Sequence, residues 1–183
     1  MMKKKFQLTL SMVSSLDGRT TTPAGSIQSS PEDTAAFEKL RNSIPVMIIG
    51  RKTAQKHTLR LPELHGPLRI VMTRNPSQYT GLVRPGKLEF TDETPTELIS
   101  RLQKQGIRAA LLAGGSTTNA AFLDACLITN AFFTYEPVVS GTGKGIFFRP
   151  GRTAIFHLRD IQQLNTRGTL RMHYAISYEH NTD

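Results

Sequence analysis

The residues with the most chemical promise lie within 107–127, IRAALLAGGSTTNAAFLDACL. A short apolar run breaks at Gly114-Gly115, and apolar residues then recur at helical spacing through Ala120, Ala121, Phe122 and Leu127. That order predicts a buried strand, a tight glycine turn and the start of a helix. Glycines admit a ligand close to the backbone, and a helix start offers free N–H groups and the positive end of a dipole. Ser116, Thr117 and Thr118 add hydroxyl donors beside it. The fitting guest is a phosphate or pyrophosphate. GGSTT is not the GxGxxG fingerprint, and the same pattern describes a turn that binds nothing, so the dinucleotide case needs support elsewhere.

Three further polar turns each follow an apolar strand: SSLDGR at 14–19, GRKT at 50–53 and TRN at 73–75. Asp17 in the first of them has two readings, a proton donor or the acid of an ordinary Asp-Gly turn, and the turn is the simpler. His57 and His65 sit in loops near these residues, but no metal spacing links the five histidines. The single cysteine, Cys126, has apolar helical surroundings that suit packing.

The elements that must position these turns follow from periodicity. Residues 6–13 alternate as a strand with Phe6, Leu8, Leu10 and Met12 on one face. Ser30, Pro31, Glu32 and Asp33 form a helix start, with Phe37 and Leu40 as its apolar stripe. The runs 46–50 and 68–73 read as strands buried on both faces, and 88–91 as a short strand. Thr94-Pro95-Thr96-Glu97 is a capping box opening a helix that stops at Gly106. Strands are expected at 131–139, 154–158 and 171–178, with no late helix. The expectation is an α/β fold with a mainly parallel central sheet, helices on both faces and antiparallel C-terminal edge strands. Ligands in such sheets bind beyond the carboxyl ends of the strands, where all four polar turns would converge.

The 183 residues suit one domain, 1–183, with 38% apolar and 20% charged residues. No run approaches the ~18 apolar residues of a transmembrane helix, and nothing resembles a signal peptide, so a cytoplasmic protein is expected. The net charge of +9 suits a polyanionic small molecule. Nucleic acid is disfavoured, because tryptophan is absent and cations do not interleave with aromatics.

Taken together, these motifs resemble the dihydrofolate reductase superfamily, and within it the C-terminal reductase domain of the riboflavin-pathway deaminase-reductase. The likeness runs over 6–148. SLDGR, the SP-initiated helix ending in Lys39-Leu40-Arg41, and Glu136-Pro137 followed by GTGKGIF resemble that reductase. GRKT and IVMTRNP resemble dihydrofolate reductases proper, and AGGSTTNAAFL is common to both. The resemblance implies the dihydrofolate reductase-like three-layer fold and NADPH. Thr53 and Gly114, Gly115, Ser116, Thr117, Thr118 and Asn119 would hold the pyrophosphate, with Arg51, Lys52 and Arg74 around the 2′-phosphate. It further implies a phosphorylated ribosylaminopyrimidine whose ribosyl group is reduced to ribityl. Arg41 and Arg60 are then candidates for the substrate phosphate, Ser26 for the ribose, and Asp17 for the catalytic wall near the nicotinamide. A free-standing reductase and a homodimer are the implied arrangement, since no HxE or CxxC pattern for the deaminase step occurs.

Two departures stand out: Ala113 occupies the place of the family's substrate-contacting acid, and no tryptophan lies near Ile27. A pterin reductase is the alternative enzyme. Asp33 precedes Phe37 by the spacing of the pterin-binding pair, although the usual Pro-Trp is missing and Pro67 stands where the folate-gripping arginine is expected. Asp33 is also a natural dipole-compensating residue. A non-catalytic NADPH-binding or nucleic-acid-associated protein is the third reading.

Overall fold

The computed structural model describes residues 5–23, 25–59 and 64–179. An eight-stranded sheet organises them. In chain order its strands are β1 (Gln7–Ser15), β4 (Val46–Gly50), β5 (Leu68–Met72), β6 (Leu88–Thr91), β7 (Ala109–Leu112), β8 (Asn130–Glu136), β9 (Ala154–Gln163) and β10 (Leu170–Tyr178). In space the order is β6-β5-β4-β7-β1-β8-β10-β9. The first six are mutually parallel, and β10 and β9 add antiparallel strands at one edge. β2 (Thr21–Thr22) and β3 (Gly25–Ser26) form a separate two-residue ribbon. Sequence pattern presents that segment as plain loop, because two paired residues are too few to carry a period.

The helices cover both faces. Along β4, Val46 and Ile48 point into a core completed by Leu98, Ile99 and Leu102 of α3 (Pro95–Lys104) and Phe122 and Leu123 of α4 (Ser116–Asp124). Met47 and Ile49 point the other way, against Phe37 and Leu40 of α1 (Pro31–Asn42) and Ala54 of α2 (Arg51–His57). This two-sided burial is why β4, β5 and β7 read as continuous apolar runs. The result is the expected α/β architecture of helices, mainly parallel sheet and helices.

Capping divides the helices into two kinds. Ser30 Oγ accepts the Asp33 N–H at α1, and Thr94 with Glu97 forms a reciprocal capping box at α3. The starts of α2 and α4, at Gly50 and Gly115, have no side-chain cap. Their first N–H groups therefore remain open to another acceptor.

Candidate active site

Beyond the carboxyl ends of β1, β4, β5 and β7 lies a cleft of about 1160 Å³. Its position is the switch point of the sheet, where the chain leaves β4 on one side of β7 and β1 on the other. Both uncapped helix starts open into it, through Gly50, Arg51, Gly115 and Ser116.

The two turns pack tightly because they are built from glycine. Gly50 donates its N–H to the Gly114 carbonyl at 2.7 Å. A Cβ on Gly50 would overlap Thr118 Oγ1, and one on Gly115 would stand 3.1 Å from Thr53 Oγ1. Two hydroxyls and two helix starts are thus held together, an arrangement suited to bridging phosphates. Arg51, Lys52, Lys56 and Arg74 line the cleft on the β4 and β5 side, and Arg51 Nη1 also donates to Gln55 Oε1 at 3.0 Å.

Of the residues singled out in sequence, Arg51, Lys52, Thr53, Arg74, Gly115, Ser116, Thr117, Thr118, Ser26 and Asp33 line this cleft. Gly114 stands behind it, its carbonyl occupied by Gly50. Asn119 corrects its expected role. It is fully buried and not among the cleft's lining residues, and Nδ2 donates to the Ile146 carbonyl at 2.9 Å, so it fastens a loop.

Asp17 takes the structural one of its two readings, and its place in the catalytic wall is a second correction. Its carboxylate accepts the Ser15 hydroxyl at 2.6 Å and the N–H groups of Ser140 and Gly141, each at 2.9 Å. The Ser15 hydrogen bond leads these contacts in lowering its pKa to about 2. Such a group is ionised and fully engaged, and it is not among the cleft's lining residues. It clamps the 138–145 loop onto the loop after β1.

Arg41 is a third. α1 is 12 residues long, so its end stands roughly 18 Å from its capped start. That places Arg41 at the amino ends of the strands, in a depression with Pro45 and Pro67 on the side of the sheet away from the cleft. Arg60 lies outside the described residues. Among those residues no cluster of His, Cys, Asp and Glu could hold a metal ion.

Asp33 is buried yet lines the cleft together with Phe37, one turn further along α1. Behind them the Arg171 guanidinium lies 4.5 Å from the Phe132 ring centroid, and Phe132 stacks on His173 at 4.4 Å. Burial lowers the Arg171 pKa, and the nearby Asp33 charge opposes that shift. The start of α1 is anchored by Glu136. Its Oε1 accepts the Ser30 N–H at 2.7 Å, and its Oε2 accepts the Thr169 hydroxyl at 2.7 Å. Sequence reasoning saw Glu136 only as part of a motif. Lys144, also on the cleft, carried a signal in its GTGKG setting but received no role.

Sheet order and cleft define a dihydrofolate reductase-like α/β fold. The dihydrofolate reductase of Enterococcus faecalis, solved as a complex with NADP(H), superposes with a TM-score of 0.66 at 15% identity, covering 93% of this chain and 96% of that one. A pyrimidine reductase-like protein from Corynebacterium diphtheriae gives 0.80 at 12% identity over 96% and 94% of the two chains. The diaminohydroxyphosphoribosylaminopyrimidine deaminase/5-amino-6-(5-phosphoribosylamino)uracil reductase of Thermotoga maritima gives 0.72 at 18% identity, over 94% of this chain and 57% of that one. The model of the RibD C-terminal domain matches residues 7–170, and the chain belongs to that family. No curated protein sequence matches it.

Proposed function

We propose that the chain is an NADPH-dependent reductase of a phosphorylated ribosylaminopyrimidine, converting the ribosyl group to ribityl. Family membership supports the reaction class. The observation that carries the cofactor is the meeting of an uncapped α4 start, the Thr53 and Thr118 hydroxyls, and the cations Arg51, Lys52 and Arg74 on one cleft. Thr53 and residues 115–118 would hold the pyrophosphate, and the cations would surround the 2′-phosphate. NADPH bound there would supply a hydride to C1′ of the substrate's imine form. The protein's own work is to bring the sugar against that position, keep water out and hold the anionic groups in place. Ser26 lines the part of the cleft where a ribose hydroxyl would lie.

Calorimetric titration with NADPH and NADH at moderate salt tests this reading. Clear NADPH preference, reduced by Arg74→Ala, is expected. Binding of neither nucleotide overturns it, as does a ratio of the two affinities that Arg74→Ala leaves untouched.

One observation favours a pterin as the second reading: Asp33 and Phe37 both line the cleft, and the α1 cap is made by Ser30. The Asp33 carboxylate is therefore available to an aminopyrimidine edge. Asp33→Asn with unchanged dihydrofolate reduction would remove it. A homodimer belongs to the same proposal, supported by Leu158 and Ile161, exposed apolar residues on edge strand β9. Sedimentation at micromolar concentration measures it. Among the described residues no helix is long and apolar enough to cross a membrane, and a cytoplasmic location completes the proposal.

A further inference from the structure

We propose that Lys144 is the residue that receives the substrate's phosphate; this rests on the reductase reading above. The cleft has a basic side with an assigned guest, because Arg51, Lys52, Lys56 and Arg74 gather at the ends of β4 and β5. Lys144 enters from elsewhere. It belongs to the loop after β8, which folds back onto the loop after β1. β1 is separated from β4 by β7, so the two backbones stand about 10 Å apart, and β5 is a further strand away. Lys144 is thus a cation held apart from the nucleotide's cluster.

Its backbone is fixed on both sides. The Lys144 N–H donates to Thr21 Oγ1 at 2.8 Å, and its carbonyl accepts the Thr20 N–H at 2.7 Å and the Thr20 hydroxyl at 3.1 Å. Asp17 holds Ser140 and Gly141 just upstream. The four-carbon stem carries a point charge of the kind that binds phosphate oxygens. Thr21, Ser26 and Ser29 line the same cleft. Among the described residues two rival cations fail on position. Arg41 lies at the opposite, amino ends of the strands, and Arg19, whose Nη1 faces the Gly143 carbonyl at 3.5 Å, does not line the cleft. A sugar phosphate reaching Lys144 would place its ribose past Ser26, between the loop and the nucleotide's side of the cleft.

The test is calorimetry on the NADPH-loaded chain with ribose 5-phosphate and, separately, ribose. Wild type is expected to prefer the phosphorylated sugar. Lys144→Ala should weaken ribose 5-phosphate by about tenfold to a hundredfold, the range of one charge-assisted hydrogen bond. It should leave ribose and NADPH affinities unchanged, and Lys144→Arg should restore most of the loss. Equal binding of ribose 5-phosphate by wild type and Lys144→Ala overturns the assignment, as does a parallel loss of NADPH affinity. Turnover of the ribosylaminopyrimidine phosphate with unchanged KM in Lys144→Ala removes this inference and leaves the reductase reading standing. A wild-type chain that binds no NADPH removes both.

Discussion

The Gly50 N–H meets the Gly114 carbonyl at 2.7 Å, and this bond joins the turn after β4 to the turn after β7. Neither turn alone makes a nucleotide site. Their contact sets the separation of the Thr53 and Thr118 hydroxyls and of the two helix starts.

Gly50→Ala therefore strikes the site without touching a charge. The new methyl group would overlap Thr118 Oγ1 and drive the start of α4 away. We expect a cost of about 1–3 kcal/mol, typical of overpacking, and at least a tenfold rise in the NADPH Kd. Thermal melts and nucleotide titration measure the two effects. Gly115→Ala, with 3.1 Å to the Thr53 hydroxyl, should be the milder variant.

Asp17→Asn should loosen the loop that carries Lys144. The folded-state pKa of about 2 lies below the ordinary 3.8. The clamp's contribution is therefore fully present above about pH 4 and is lost as pH falls toward 2. Hydrogen exchange at the Ser140 and Gly141 amides should quicken in the variant at neutral pH, with NADPH affinity little changed. Wild type should show the same quickening, relative to the rest of its backbone, only in that acid window.

Removing the Glu136 carboxylate leaves a buried N–H at Ser30 and a buried hydroxyl at Thr169 without their acceptor. Glu136→Ala should cost about 3 kcal/mol in urea unfolding, and Glu136→Gln clearly less, because an amide oxygen still accepts the Ser30 N–H. Equal losses in both variants would show that the charge matters and the hydrogen bonds do not.

Tyr178 closes the opposite end of the sheet. Its hydroxyl accepts the Ile128 N–H at 3.1 Å and donates to the Ile128 carbonyl at 3.0 Å. Burial pushes its pKa up to about 12 from 10.0. Its contribution is fully present below about pH 10 and is lost as pH rises through about 12. Burial also raises the pKa of Tyr135, so ultraviolet titration should find more than one tyrosine ionising late, and Tyr178→Phe should remove one such step and cost about 1–2 kcal/mol.

What the sequence made legible was local. Ser30-Pro31 and Thr94-Glu97 announce helix starts through their own chemistry, and a break in apolar periodicity at Gly114-Gly115 announces a turn. The strands at 46–50 and 68–72 were visible because burial on both faces leaves no polar interruptions. The illegible parts depend on partners far along the chain. Asp17 looks like any Asp-Gly turn until Ser140, 123 residues later, comes to it. Asn119 sits in the right turn of the right helix, but the helical phase sends its amide inward to Ile146. Arg41 shares α1 with Asp33, yet the length of the helix carries it to the amino ends of the strands. β9 was expected to end at Leu158 and continues to Gln163, because pairing with β10 sustains it past a bulge that breaks the alternation.

The place of β1 between β7 and β8 sets an order of events during synthesis. Of the eight strands of this sheet β1 comes first along the chain, but its two neighbours end at Leu112 and Glu136. Until about a hundred further residues have been made, both of its edges stay open to foreign strands. A strand paired on both edges in the finished sheet is thus unpaired on both while the sheet is being made, and a chaperone reading exposed strand edges would find a target at residues 7–15.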